Sequence, residues 1–222
     1  MPAGRLSSRE GQDRMKKIAI IAFLLALCGS AGRAQESRQD ISLSGTAFVY
    51  YHINSPADVY VGSNTAKGAL LSYRFMMTPS SALEANYGIT YQNTFHYKTN
   101  PLNINVLTRT QEISAAYVRS FNFHKFNPFL EAGPAGIIFL PIRNSGTTDQ
   151  NVTRQTEVGL LYGAGFAYEI SPSFDIRGEY RGLVTKVPDF GQASSTGGSL
   201  DLNPNRWYKT ISVPTLGIAY HF

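Results

Sequence analysis

The sequence contains only one cysteine, only four histidines and no glycine-rich phosphate loop. Cys28 has no partner for a disulfide. A metal site needs several ligands that converge, and these histidines are scattered along the chain. The composition therefore offers no disulfide, metal or nucleotide chemistry, and we expect no cofactor. The four histidines are His52, His96, His124 and His221.

The one long apolar run lies near the N-terminus. Met15-Lys16-Lys17 is followed by IAIIAFLLAL and then by the small residues of CGSAGRA, with Cys28 inside this segment. The run is shorter than the roughly 20 residues that a membrane-spanning helix needs, and its flanks are those of a secretory signal peptide. We therefore divide the chain into an N-terminal extension with a signal peptide, residues 1–34, and a mature domain, residues 35–222. We expect cleavage after Ala34, with translation starting at Met1 or Met15.

The mature domain has almost no net charge. The full chain has 20 basic and 15 acidic residues, and the leader holds six of the basic and two of the acidic ones. Removing the leader leaves 14 basic and 13 acidic residues, a net charge of +1. The isoelectric point of about 9.3 is therefore largely a property of the leader. We expect no nucleic-acid partner, because nucleic acids are bound through basic surfaces.

Apolar residues in the mature domain recur at every second position, which is the period of a β-strand. In LEANYGITYQ, residues 83–92, Leu83, Tyr87 and Ile89 share one face while Glu84 and other polar or small residues occupy the opposite face. Eight segments of this kind reach the 9–11 residues of a transmembrane strand. They are residues 42–53, 66–75, 83–92, 108–121, 129–140, 157–170, 174–184 and 207–222.

Short and long connections alternate between these eight segments. Three short ones carry turn residues, as in Met77-Thr78-Pro79-Ser80-Ser81. Four longer polar ones lie between them, at residues 54–65, 93–107, 143–153 and 188–205. This alternation places all long loops at one end of an up-and-down antiparallel sheet. Closing that sheet into a barrel removes its two exposed edges, so we predict an all-β, eight-stranded antiparallel barrel.

The two faces of this sheet differ in polarity. A soluble carrier barrel turns its apolar face inward, whereas a transmembrane barrel turns it outward. The leader, the aromatic residues near segment ends such as Tyr50, and the closely spaced opposite charges favour the transmembrane barrel, because a basic residue facing lipid at mid-depth costs about 2–4 kcal/mol. We therefore predict that nine charged residues face the lumen: Glu84, Glu112, Glu131, Glu157, Glu169, Asp175, Arg177, Glu179 and Arg181.

The chain ends in VPTLGIAYHF, where apolar or aromatic residues alternate up to a final phenylalanine. This ending and the strand and loop rhythm of residues 35–222 resemble the small eight-stranded OmpA-like and opacity-type outer-membrane proteins of bacteria. The resemblance implies a bacterial outer-membrane location in contact with lipid. It also implies that the barrel assembly machinery recognises the terminal strand. Pro214 departs from the pattern and predicts a bulge or local break there. The matching residues are Leu216, Ile218, Tyr220 and Phe222.

The resemblance leaves the individual function open. We expect no enzymatic activity and a structural role in the envelope, with narrow porin-like passage of small solutes through the charged lumen as an open possibility. An alternative is a surface adhesin that binds an extracellular ligand through the loops at residues 93–107 and 188–205. A less favoured alternative is a lipid-modifying enzyme, for which His52 and His96 with Ser55 and Thr94 are the candidate groups. An eight-stranded barrel is barely wide enough for its own side chains, which favours a closed, ion-paired lumen over a pore.

Overall fold

A computed structural model describes residues 38–50, 53–54, 60–99, 102–143, 147, 152–191 and 208–222. The expected leader with its cleavage point, and the residues His52, Ser55 and Trp207, lie outside these ranges. In the part of the chain that is described, no helix is long and apolar enough to cross a membrane.

The described chain consists of ten β-strands in sequence order. They are β1 Gln39–Phe48, β2 Ile53–Asn54, β3 Tyr60–Ser63, β4 Ala66–Thr78, β5 Ser81–Thr99, β6 Leu102–Ser120, β7 Phe126–Pro141, β8 Gln155–Ser171, β9 Phe174–Lys186 and β10 Tyr208–His221.

Two of these strands are continuations of their neighbours. Phe48 of β1 pairs with Ala66 of β4. Ile53 of β2, five residues further along, pairs with Val61 of β3, five residues earlier than Ala66. The register is therefore unchanged, so β2 continues β1 and β3 continues β4. The same relation holds where β3 and β4 both pair with β5.

With β2 counted as part of β1 and β3 as part of β4, eight strands remain, and they close into an antiparallel barrel. The order around the wall is β5, β4, β1, β10, β9, β8, β7 and β6, and β6 pairs back with β5. Short turns such as Pro79-Ser80 and Pro172-Ser173 join strands at one end, which we call the turn end. The opposite end, which carries the longer connections, is the loop end. The predicted eight-stranded barrel is confirmed.

The apolar face of the wall points outward. Alternate residues along each strand are exposed and apolar, whereas their neighbours are buried inside. Val158, Leu216 and Leu43 are 76%, 63% and 64% exposed. An outward apolar band with a filled interior is the arrangement of a transmembrane barrel. The expected orientation of the two faces is therefore confirmed. A soluble carrier barrel would have its apolar face inside, so that alternative does not fit.

The predicted loop at residues 93–107 is wrong, because β5 and β6 extend through it as a hairpin. Asn93, Phe95 and Tyr97 pair with Thr108, Val106 and Ile104. The segment is rich in Asn and Thr, which favour loops in sequence. Its alternate positions Phe95, Tyr97, Ile104 and Val106 are nevertheless buried, and the burial of that face stabilises strand structure. Part of the predicted loop at residues 54–65 is likewise strand, in β2 and β3.

The terminal strand has the break expected at Pro214. On the β9 side the ladder runs through the Pro214–Tyr180 pair without a shift. On the β1 side, pairing stops at Thr46–Thr215 and resumes at a single bridge between Val49 and Ser212. The register is the same before and after the break, so this is an interruption without a bulge.

Strands β6 and β7 approach unusually closely at Gly133. A β-carbon on Gly133 would collide with the carbonyl oxygen of Ala115. The β6–β7 ladder is interrupted at this point, between the pairs Ser114–Ala135 and Tyr117–Ala132. Pro134 follows and has no N–H to donate. Only glycine fits this backbone contact.

We predict that Gly133→Ala lowers the free energy of unfolding by about 1–3 kcal/mol, the usual cost of overpacking. Gly136→Ala on the same strand is the matched control, because its nearest neighbour is the carbonyl oxygen of Ile113 at an ordinary 3.7 Å. Urea titration of the barrel refolded into lipid vesicles measures both. Equal stability of the two variants would contradict the close contact.

Candidate functional site: the filled lumen

The inside of the barrel is divided into two layers of different chemistry. The turn-end half holds a charged layer, made of Asp40, Arg74, Glu84, Glu112, Glu131, Arg177, Glu179 and Arg181. The loop-end half holds an apolar layer, built around Phe48, Tyr50, Phe95, Tyr97, Phe139 and Phe190.

Arg177 joins three parts of the wall in the charged layer. Its Nη2 donates to Asp40 Oδ1 on β1 at 2.9 Å, and its Nη1 lies 3.6 Å from Glu84 Oε2 on β5. The Nε atom is 3.9 Å from Glu179 Oε1 on its own strand. Arg74 shares Glu84 Oε2, to which its Nε donates at 2.7 Å. Each of these side chains is almost completely buried.

Arg181 forms a second ion-pair group nearer the middle of the barrel. Its Nη2 donates to Glu112 Oε1 at 2.8 Å and its Nε donates to Glu131 Oε1 at 3.2 Å. Ser114 supplies a further acceptor at 3.2 Å. Buried charges are tolerated when they are paired and hydrogen-bonded in this way. The group ties β9 to β6 and β7 across the lumen.

An aromatic ring supports the guanidinium groups at the turn end. Phe129 is buried, with the Arg74 guanidinium 4.5 Å and that of Arg177 6.0 Å from its ring centroid. A guanidinium over a ring face is attracted by the negative face of the π system. Phe129 therefore fills space and stabilises charge at the same time.

The turn-end mouth has a histidine–carboxylate group of its own. His221 Nε2 lies 2.9 Å from Asp175 Oδ2, and His221 Nδ1 lies 4.0 Å from Asp40 Oδ2. This contact connects the last strand to β1 and β9. The sequence pattern indicated no partner for His221, because the two aspartates are distant from it in sequence.

The nine residues predicted to face the lumen do not all join the network. Seven are buried in the turn-end half or its mouth: Glu84, Glu112, Glu131, Asp175, Arg177, Glu179 and Arg181. Glu157 and Glu169 are half-buried at opposite ends of β8. Glu157 Oε1 accepts a bond from Gln155 Nε2 at 2.6 Å, away from the arginines. Those two glutamates belong to the rims.

Two members of the network escaped the sequence analysis. Arg74 lies between Tyr73 and Phe75 in a segment that alternates poorly, and Asp40 precedes the predicted start of the first strand. The alternation of inward and outward positions could have identified Arg74, because Arg74 lies directly opposite the inward-facing Glu84 in the β4–β5 register. Cross-strand opposite charges on one face attract each other. Asp40 required the correct strand start, which the sequence pattern placed at residue 42.

Glycines on the inner face make room for side chains. A β-carbon on Gly163 would collide with Glu131 Oε1, and one on Gly165 would contact Phe129 and Glu179. In the described residues, this space is occupied by the charged layer and its supporting ring.

The apolar layer is an aromatic cluster. Phe95 lies at its centre, with ring centroids of Tyr50, Phe139 and Phe190 at 5.2, 5.9 and 5.6 Å and steep interplanar angles. Edge-to-face pairs of this kind are favourable. Tyr50 was expected at the membrane interface, which is wrong: it is buried in the lumen, and its hydroxyl lies 2.9 Å from Thr110 Oγ1.

A short segment after β9 folds into the loop end and covers this cluster. Phe190 is completely buried, and its backbone φ is 51°, a left-handed value that bulky residues rarely adopt. Gln155 Oε1 accepts bonds from the N–H groups of Asp189 and Phe190 at 2.9 and 3.0 Å. The Tyr97 hydroxyl donates to the carbonyl of Pro188 at 2.6 Å. These bonds hold Phe190 in the lumen despite its backbone conformation.

Of the residues considered for enzymatic chemistry, the described part of the chain contains His96 and Thr94. His96 Nδ1 lies 2.8 Å from Asn105 Oδ1 on the β5–β6 hairpin, and His52 and Ser55 lie outside the described residues. Across the described ranges, no group of three His, Cys, Asp or Glu side chains is placed to hold a metal ion.

Comparison with known proteins fits this geometry. Residues 19–222 match the family described as outer membrane protein beta-barrel domain. The chain belongs to this family. Members of this family lie in the bacterial outer membrane. The resemblance to small outer-membrane barrels that the sequence indicated is therefore confirmed. In outer-membrane barrels the short turns face the periplasm and the longer loops face outward, so the charged layer of this family member lies on the periplasmic side.

Solved outer-membrane proteins share the fold at low sequence identity. OprG from Pseudomonas aeruginosa is 14% identical with a TM-score of 0.55, over 85% of this chain and 97% of that one. Neisserial surface protein A is 14% identical with a TM-score of 0.53, over 82% and 97%. Ail, the attachment invasion locus protein of Yersinia pestis, is 15% identical with a TM-score of 0.51, over 85% and 100%. No curated protein sequence shows a significant match.

We predict that Arg181→Met destabilises the barrel by about 3 kcal/mol, because Glu112 and Glu131 lose their buried cation. Adding Glu112→Gln to Arg181→Met should recover part of the loss, since one uncompensated charge is removed. Urea unfolding in lipid vesicles measures both. The exposed Arg109→Met is the control and should change little. Equal effects of Arg181→Met and Arg109→Met would contradict the network.

We predict an inverted ranking of glycine and alanine at position 190. Both Phe190→Ala and Phe190→Gly lose the buried ring, but glycine adopts a positive φ without strain. Phe190→Gly should therefore be more stable than Phe190→Ala by about 1 kcal/mol. Within a strand, alanine is usually more stable than glycine. Gly45→Ala on β1 is therefore the control and should not lower the stability of the barrel. A less stable glycine variant at position 190 would contradict a left-handed backbone there.

Proposed function

We propose that this protein is a structural barrel of the outer membrane whose lumen is closed to solutes. The observation that carries the proposal is the occupation of the lumen by two unlike layers of buried side chains. Three arginines and five carboxylates interlock on the periplasmic side, and an aromatic cluster with Phe190 covers the outer side.

The two layers oppose passage for different reasons. A charged solute would have to displace ion pairs whose partners are left buried and uncompensated, which costs several kcal/mol per ion. A hydrated solute would then have to lose water to cross the apolar layer. The geometric limit of an eight-stranded barrel acts in the same direction. Narrow porin-like passage, which the sequence left open, is therefore the weaker hypothesis.

The proposal includes export and assembly. The leader at residues 1–34 delivers the mature domain to the periplasm, with residues 35–222 forming the barrel. The assembly machinery recognises the last strand through Leu216, Ile218, Tyr220 and Phe222. Support comes from the exposure of Leu216 and Ile218 on the outward face and from the contact of Tyr220 with the Phe174 ring at 5.1 Å. No enzymatic role is proposed.

Adhesion at the cell surface is the second candidate. The β5–β6 hairpin favours adhesion. Strand β5 continues seven residues past its predicted end at residue 92, so the hairpin forms a hydrogen-bonded strand pair at the loop end. Firm scaffolds commonly carry binding surfaces. Such a role is compatible with a closed lumen, and a ligand would contact the hairpin at residues 93–107 or the segment at residues 188–205.

We predict no discrete current steps from residues 35–222 refolded and inserted into a planar bilayer. Insertion is verified separately by the shift in electrophoretic mobility between unheated and heated samples. Arg177→Gln with Glu179→Gln serves as the comparison, because it removes one positive and one negative charge from the lumen. Reproducible steps in the wild type that change in this variant would support a pore and contradict the closed barrel.

A further inference from the structure

A groove crosses the outer, lipid-facing surface of β4, β5, β6 and β7 in the turn-end half of the barrel. Its volume is about 480 Å³, within the range of roughly 300–1,000 Å³ that ligand sites occupy. The lining is almost entirely apolar, and most of its side chains are exposed on the outside of the wall. We call this feature the outer groove. It is open to the membrane and not to the lumen.

Small side chains form the floor of the outer groove. Ala85 of β5 pairs with Ala115 of β6, and Pro134 of β7 lies on the other side of Ala115 in the β6–β7 register. The floor is therefore low across three neighbouring strands. Such a recess offers a flexible acyl chain more van der Waals contacts than a smooth wall does. Its taller sides include three exposed aromatic residues, Tyr73, Phe75 and Tyr117.

Three polar side chains meet at the end of the outer groove nearest the periplasm. The Tyr117 hydroxyl and Arg119 Nη1 both donate to Ser81 Oγ, each at 2.9 Å. Ser81 is the first residue of β5, directly after the turn, and it pairs with Arg119. Tyr117 also lines the groove, and Arg119 follows it on the same face, about 7 Å further along the strand. A cation is thus fixed beside the apolar recess.

Two tyrosines indicate that this cation lies at the level of the lipid headgroups. Tyr117 donates to Ser81, and Tyr73, on the opposite side of the groove, donates to Gln39 Oε1 at 2.7 Å. Tyrosines with an apolar ring in lipid and a bonded hydroxyl are typical of the membrane interface. A basic residue facing outward is tolerated at that level, unlike one at mid-depth.

Arg119 has no carboxylate beside it. It is exposed and forms no ion pair among the described residues. Ser81 and Leu130 flank it across the two ladders, and Tyr117 and Phe121 flank it along the chain. A guanidinium group has five N–H donors, so the bond to Ser81 leaves donors for an anion. Its planar fork matches the oxygens of a phosphate group.

We propose that the outer groove binds one anionic phospholipid of the periplasmic leaflet, with its phosphate on Arg119 and an acyl chain over Ala85 and Ala115. Charge complementarity favours this occupant over a second copy of the barrel. A two-fold dimer through this face would repeat the same surface on both partners and would place like charges at one interface. The site is independent of the closed lumen, because it lies outside the wall.

Native mass spectrometry of the mature barrel in detergent tests the proposal. The probes are phosphatidylglycerol and phosphatidylcholine with identical acyl chains, so that only the net charge of the headgroup differs strongly. We expect one phosphatidylglycerol to be retained, with a Kd about fivefold lower than that of phosphatidylcholine. This ratio corresponds to the attraction between one basic residue and an anionic lipid surface.

Two variants with matched controls locate the headgroup and the chain. Arg119→Gln should remove the preference for phosphatidylglycerol, whereas Arg109→Gln should keep it, because Arg109 is exposed on the same strand but near the loop end. Ala115→Leu fills the floor and should weaken binding of both lipids about threefold, since a few van der Waals contacts are lost. Ala164→Leu changes an exposed alanine of β8, away from the groove, and should have no effect.

Loss of the preference in Arg119→Gln and weaker binding in Ala115→Leu, with wild-type behaviour in both controls, would support the site. Equal affinities of the wild type for the two lipids would mean unspecific lipid contact and would overturn the proposal. A preference that persists in Arg119→Gln, or equal affinities of Ala115→Leu and Ala164→Leu, would overturn it as well. A lipid-free dimer would assign the groove to a second copy instead. Each variant is first shown to be folded by its electrophoretic mobility shift.

Discussion

The structure depends on buried ion pairs between strands that are distant in sequence. Arg177 bonds to Asp40 across 137 positions, and Arg181 bonds to Glu112 across 69. An apolar outer face obliges the charges to lie inside, and an eight-stranded wall leaves little room for water to solvate them. The charges must therefore satisfy one another. The cation contacts with Phe129 and the glycines that admit Glu131 and Glu179 follow from that requirement.

Period-two alternation, as in residues 83–92, and the rhythm of short and long connections were enough to predict the barrel and its strand number. The direction of the apolar face also required the leader, the aromatic residues near segment ends and the closely spaced opposite charges. The alternation did not predict the hairpin at residues 93–107, because Asn and Thr in that segment have the composition of a loop. What stabilises the hairpin is the burial of Phe95, Tyr97, Ile104 and Val106, and that burial depends on partners elsewhere in the barrel. Local propensity yields to tertiary packing in such a case.

The charged residues were predictable as a set but not as pairs. Sequence parity placed Arg177, Glu179 and Arg181 on one face, yet nothing local indicates that Arg177 bonds to Asp40. The apolar layer was missed for a related reason. Leu161 and Leu183 occupy inward-facing positions in the alternation of their strands and are buried in the lumen. The sequence analysis had assumed a polar interior along the whole barrel. The inner face changes character along its length, and only the closed wall shows which residues share a level.

The charged layer also has a consequence for how the barrel is assembled. Asp40 is on the first strand and Arg177 on the ninth, so their bond can form only when the wall has closed between β1 and β10. A strand that entered one position out of step would turn its charges toward lipid, at about 2–4 kcal/mol for each basic residue at mid-depth. The network therefore favours complete closure, and it disfavours a one-residue slip in register, because such a slip would leave its charges facing lipid.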